Sequence, residues 1–234
     1  MTQALTDAEL AHLLSFVGYG SLKADVWFLG MEEAGGGEGN IRTRLQFQIV
    51  EDNAEAHKLL GVTKLHWGKR VIQRTWRGMC YIMLRLDNRE PSRENIRDYQ
   101  AEQLGRTQGN TLLTELMPIP KPKVSLWGYE ELIPQYRSRE DYYRTVKPQR
   151  VKALRQLLTE HRPAVVIGYG KSFWSSYKEL FPNHNFQSQD IFEVAFKDGT
   201  LVILTDHFTA RTMNGKFDDA VSIIREYQPS VFRS

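Results

Sequence analysis

Asp25-Val26-Trp27-Phe28-Leu29-Gly30 runs straight into Met31-Glu32-Glu33-Ala34-Gly35-Gly36-Gly37-Glu38-Gly39-Asn40, and this junction decides the fold. The first stretch is short and almost continuously apolar, the pattern of a strand covered on both faces. The second is polar and rich in glycine, so the strand opens into a loop. Three further runs have the same character: Thr111 to Met117, expected to stop at Pro118; Val165 to Gly170; and Leu201 to His207. Ile191 to Phe196, followed by Asp198-Gly199, predicts an added strand hairpinned to the last of them.

Helical segments fill the intervals. Thr6 and Glu9 have capping-box spacing, and Leu5, Leu10, Leu13, Leu14 and Val17 recur with helical period until Gly18 and Gly20. Helices are predicted over 41–60, over 66–86, after Pro91-Ser92, over about 139–161 with a restart or kink at Pro148, from Lys171-Ser172, and from Phe217 to Tyr227. Short buried strands alternating with helices call for a parallel sheet covered on both sides: α/β, three layers, one domain over 1–234. No internal repeat or linker divides the chain.

Composition narrows the class. The 234 residues are 41% hydrophobic and 25% charged, enough for a core under a polar surface. No apolar run approaches the ~20 residues of a membrane span, and the N-terminus lacks a basic-then-apolar leader, so a cytoplasmic location is expected. Cys80 is the single cysteine, which excludes a disulfide, a cysteine zinc cage or an iron–sulfur cluster within one chain. His12, His57, His66, His161 and His184 show no metal-ligand spacing. No cofactor, metal or obligatory protein partner is implied. A net charge of +3 permits nucleic-acid binding without demanding it.

In parallel α/β sheets, ligands sit outside the carboxyl ends of the strands. That rule gathers Gly30–Asn40, Glu115–Lys123, Gly168–Ser172 and Asp206–Asn214 at one edge. In this order the four segments resemble the uracil-DNA glycosylase superfamily. Gly30-Met31-Glu32-Glu33-Ala34-Gly35 is similar to its first motif, Thr111–Pro118 to the strand carrying its base-reading asparagine, Val165–Gly170 to the next strand, and Thr205-Asp206-His207-Phe208-Thr209-Ala210-Arg211 to its second motif. The chain departs from the pattern at Glu33 in place of proline, at Glu115 in place of asparagine, and at Phe208-Thr209 in place of Pro-Ser. The resemblance implies a mostly parallel four-stranded sheet and a monofunctional glycosylase that flips a base out of DNA and hydrolyses its N-glycosidic bond. No lysine stands out as a Schiff-base nucleophile.

The resemblance assigns Glu32 as the carboxylate that stabilises an oxocarbenium-like sugar and aligns water, and His207 as a donor to the departing base. Glu32 could equally cap a helix or neutralise an arginine. Glu33, Gly35, Gly36, Phe47 and Glu115 are the expected substrate contacts, with Phe47 stacking on the base. An ionised Glu115 only accepts hydrogen bonds, which disfavours uracil and suits an amino group such as cytosine N4. A cytosine carrying an added group, as in some phage DNAs, is then the expected target, and the protein a defence enzyme. The alternative is that Glu115 turns away or pairs with a lysine such as Lys121. Phosphate contacts are expected from Lys171 and Ser172 at a helix start and from Thr209, Arg211 and Asn214. Lys121, Lys123, Trp127 and Arg137 form a basic, aromatic stretch that could touch DNA.

Three rival readings accompany this one. Gly168-Tyr169-Gly170-Lys171-Ser172 suggests a P-loop, but Val165 stands where a Walker loop needs glycine. A DNA- or nucleotide-binding protein of the same fold that cuts nothing is the second. A glycosylase for uracil or other deaminated bases is the third.

Overall fold

The computed structural model describes residues 3–68, 70–121 and 126–229. In chain order its elements are α1 (Asp7–Ser15), β1 (Gly18–Gly20), β2 (Val26–Ala34), α2 (Glu38–Arg44), β3 (Val50–Glu51), α3 (Asn53–Leu59), α4 (Arg74–Leu86), α5 (Arg93–Glu102), β4 (Thr111–Lys121), α6 (Arg139–His161), β5 (Val165–Tyr169), α7 (Trp174–Lys178), β6 (Gln187–Gln189), β7 (Phe192–Lys197), β8 (Thr200–Thr205) and α8 (Phe217–Tyr227). The fold is α/β. Its sheet has eight strands in the order β3-β1-β4-β2-β5-β8-β7-β6, so the expected four are extended at both edges.

The four apolar runs form the sheet's centre: β4, β2, β5 and β8 are neighbours and mutually parallel. Their side chains alternate between two cores. Trp27, Leu29, Leu112, Val166 and Val202 pack with α1 and α6 through Leu10, Leu13, Tyr142 and Leu154. Val26, Phe28, Leu113, Val165 and Ile203 pack with α4, α5 and α8 through Met79, Ile82, Ile96 and Ile224. Burial on both faces is why these strands carry no polar alternation. The predicted hairpin is present, β7 running antiparallel to β8.

Local chemistry explains the elements that the sequence reading placed differently. The predicted helix over 41–60 is two helices separated by β3, because Asp52 caps a new start by accepting from the Ala54 and Glu55 amides. β4 does not stop at Pro118. It continues through Pro118 and Pro120 to Lys121, past the point where its neighbour β1 has ended at its pairing with Leu112–Thr114. A missing N–H there breaks no ladder bond on that side, and the intervening Ile119 amide donates to the Tyr142 hydroxyl at 3.1 Å. α6 passes through Pro148 as one element without restarting. Among the described residues no helix is long and apolar enough to cross a membrane.

Candidate active site

The carboxyl ends of β2, β4 and β5 close around a cavity of about 50 Å³ whose wall includes Tyr19, Glu33, Trp76, Glu115, Arg150 and Tyr169. Two acidic side chains therefore share one small space. Gly30 makes the space possible. A Cβ at that position would collide with both carboxyl oxygens of Glu115 and with the Tyr169 hydroxyl.

Glu33 is held at both carboxyl oxygens. Arg44 Nη2 lies 2.7 Å from its Oε1, and the Tyr19 hydroxyl donates to its Oε2 at 2.8 Å. Arg44 is itself buried and fixed from behind, its Nε donating to Asn40 at 2.7 Å. The Glu33 side chain keeps 23% of its exposure, so it is oriented without being sealed.

Glu115 is in a different condition. The residue is half-buried, but its Oε2 is cut off from solvent and has no hydrogen-bond partner. Its Oε1 accepts from the Tyr169 hydroxyl at 2.9 Å. Arg150 approaches only the backbone, donating to the Glu115 carbonyl at 3.1 Å. Burial, opposed by the Tyr169 hydrogen bond and reinforced by the charges of Glu33 and Glu32, pushes the Glu115 carboxyl up to about 8. At neutral pH it is a carboxylic acid with one donor and one acceptor. The expectation of an acceptor-only carboxylate that disfavours uracil rests on an ionised Glu115, the form that this burial disfavours.

Glu32, the expected water-aligning group, does not line this cavity. Its side chain is 1% exposed and pairs with Lys121 Nζ at 2.7 Å, which is equally enclosed. Lys121 sits against the rings of Trp127, Tyr142 and Tyr143. Burial raises the Glu32 carboxyl and lowers the Lys121 ammonium, while their attraction opposes both shifts. Glu32 and Glu33 take opposite faces of the sheet. Trp27, Leu29 and Met31 face the α6 side, and strict alternation would send Glu33 there too. The register between β2 and β4 shifts between Glu32 and Ala34. Glu32 joins the α6-side aromatics, and Glu33 joins Tyr19 on the other face.

His207 is exposed at the end of β8, with Nδ1 2.8 Å from Thr209 Oγ1. Its ring lies 5.7 Å from that of Tyr169, which links it to the cavity wall, but it is not opposite Glu32 across a cavity. Phe47 is buried, and the Arg44 guanidinium lies 5.5 Å over its ring; it supports the arginine instead of stacking on a ligand. Gly35 and Gly36 turn the chain after β2 with φ of 124° and 99°, outside the cavity wall.

Beside the cavity runs a groove of about 370 Å³ lined by Arg74, Arg77, Gly78, Phe208, Thr209 and Asn214 among others. It adjoins the cavity in two ways. The first turn of α4 contributes Trp76 to the cavity and Arg74 and Arg77 to the groove. Phe208 lines the groove and stacks on Tyr169 at 5.1 Å. Arg74 and Arg77 are exposed and have no carboxylate partner among the described residues, unlike Arg70, which bridges Asp98 and Glu102. Thr209 and Asn214, two of the expected phosphate contacts, belong to this groove; Arg211 is exposed outside its lining.

The remaining expected contacts are elsewhere. Lys171 and Ser172 lie in a three-residue 3-10 turn before the five-residue α7, too short to aim a set of free amides at an anion. Trp127 is buried with its indole N–H donating to the Tyr136 carbonyl, and Lys121 is closed in, so neither can touch DNA; Arg137 is exposed and Lys123 lies outside the described residues. Tyr19, Arg44, Trp76, Tyr169 and the Arg74–Arg77 pair escaped the sequence reading. Only the last carries a legible signal, two arginines at i and i+3 just after a helix cap. Among the described residues no three His, Cys, Asp or Glu side chains gather as a metal site. The chain matches no family model and no curated protein sequence.

Proposed function

We propose that the protein is a monofunctional DNA N-glycosylase: it takes an extruded base into the strand-end cavity and hydrolyses its bond to the sugar, leaving an abasic site. The observation that carries this reading is the pairing of a two-acid cavity with an adjoining groove of unpaired arginines. A base on a phosphodiester chain is a neutral ring attached to an anionic strand, and an opened cavity beside the arginine groove would receive its two parts. Glu33, oriented by Arg44 and Tyr19, takes the role first given to Glu32: it stabilises a cationic sugar and aligns the attacking water. Arg74, Arg77, Thr209 and Asn214 hold the backbone, and His207 stands at the rim. Lys121, whose amine is closed in by Glu32 and three rings, is not available for Schiff-base chemistry, which supports hydrolysis without strand cleavage.

The cavity is smaller than the about 150 Å³ that admits benzene in an engineered core, so base entry requires its wall to open. This favours a second reading, a DNA-binding protein of this fold that releases nothing. Duplexes and single strands carrying plain, deaminated and substituted bases, assayed for abasic sites, separate the two. The glycosylase reading predicts base release from at least one substrate and a loss of about a hundredfold or more in Glu33→Gln, by the scale of removing one electrostatic stabiliser. Binding without release, unaltered by that substitution, selects the second reading.

A further inference from the structure

The cavity holds two carboxyl groups whose surroundings differ in one decisive respect: Glu33 has a guanidinium at 2.7 Å and Glu115 has no cation on its side chain. The groups facing Glu115 divide: burial and the two β2 glutamates favour its proton, while the Tyr169 hydrogen bond and the Arg150 charge oppose it without prevailing. From β2 come Glu33 and Glu32, both negative; from β5 comes Tyr169, a hydroxyl; from α6 comes Arg150, whose guanidinium is spent on the Glu115 and Val17 carbonyls. Oε1 is the oxygen that accepts from Tyr169, which leaves the unpartnered Oε2 to carry a proton within the cavity wall. Two acids in one small space, one paired with a guanidinium and one without a cation, are the arrangement from which an acid and its counterpart in one reaction are built.

Building on the glycosylase reading, we propose that Glu115 is the general acid of the reaction, protonating the departing base, and that the substrate is a base that leaves poorly as an anion, an amino-bearing pyrimidine of the cytosine type. The step balances as follows. The C1′–N bond breaks and its electron pair goes to the base; the Glu115 Oε2 proton passes to an acceptor atom of that base. Water adds its oxygen to C1′ and gives its proton to the Glu33 carboxylate. Glu33 finishes protonated and Glu115 ionised, and one proton returned through solvent restores both. An imide base such as uracil departs as a comparatively stable anion and has no need of this acid. A cytosine-type base does need it, which revives the expected substrate class on leaving-group grounds instead of hydrogen-bond matching.

The experiment compares wild type and Glu115→Gln on single-turnover release of a cytosine-type base and of 5-fluorouracil, an acidic base that leaves unaided, each across the pH range. Thermal unfolding confirms that the variant folds. General-acid catalysis predicts that Glu115→Gln loses about 10²- to 10⁴-fold on the cytosine-type base and little on 5-fluorouracil. It also predicts that the wild-type rate on the cytosine-type base falls as pH rises through about 8, a limb missing from the variant. Equal losses on both bases, or an unchanged pH profile, overturn the acid role and leave the glycosylase standing. Absence of base release from every substrate overturns the glycosylase reading, and this proposal with it.

Discussion

Glu32 and Glu115 are acids on adjacent strands, both withdrawn from water, and the molecule treats them oppositely. Glu32 is given Lys121, and the two form an enclosed ion pair roofed by aromatic rings. Glu115 is given a tyrosine hydroxyl on one oxygen and nothing on the other. A buried carboxyl with a cation can remain charged; one without takes up a proton. The first arrangement closes a strand end. The second leaves a carboxyl oxygen without a partner in a residue of the cavity wall.

The comparison breaks most visibly if the ion pair is cut. Lys121→Met leaves the buried Glu32 without its cation, so that it must hold an uncompensated charge or take up a proton on folding, and chemical denaturation is expected to show a loss of up to about 3–5 kcal/mol. Combining it with Glu32→Gln removes the stranded charge and recovers much of that loss. Equal stability of the single variant and wild type would mean that the pair is open to water.

Glu115→Gln tests the other side. A carboxyl raised from the usual range to about 8 binds its proton more tightly in the folded state. Its contribution to stability is complete below the ordinary carboxylate range and is lost as pH rises through about 8. Wild-type stability is therefore expected to decline over that window, by at most about 1.4 kcal/mol per pH unit for one proton. The glutamine variant, which cannot lose a proton, should be flatter and more stable than wild type at the alkaline end. Identical pH profiles for the two proteins would count against a neutral Glu115.

Arg74→Ala and Arg77→Ala sharpen the contrast at its smallest scale. Both side chains are exposed and without carboxylate partners among the described residues, so each change should alter stability by less than about 0.5 kcal/mol. DNA binding measured against salt should lose close to one unit of slope per arginine. Unaltered slopes would remove the backbone from this groove.

Much of the fold could be read from the chain because its centre is apolar on both faces. Val26–Leu29, Val165–Ile167 and Leu201–Leu204 have no other comfortable structure, and Thr6 with Glu9 announces α1 by chemistry that the structure repeats. The short strands β1, β3 and β6 have two or three residues each, too few for a period to register. The continuation of β4 through Pro118 and Pro120 depends on where a neighbouring strand ends, which no local rule contains. The site was legible as a place and not as an arrangement. Glu33, Glu115, Thr209 and Asn214 arrive where the strand-end rule sends them. Glu32 and Phe47 do not: Glu32 is closed in with Lys121 where the regular pairing of β2 ends, and a buried arginine claims the phenylalanine.

The most direct test is the protonation state of the Glu115 carboxyl itself, followed by side-chain ¹³C NMR across a pH titration and assigned by the signal lost in Glu115→Gln. A neutral carboxyl at pH 7 that titrates near 8 is the predicted result. A carboxyl already ionised at pH 6 would contradict the account.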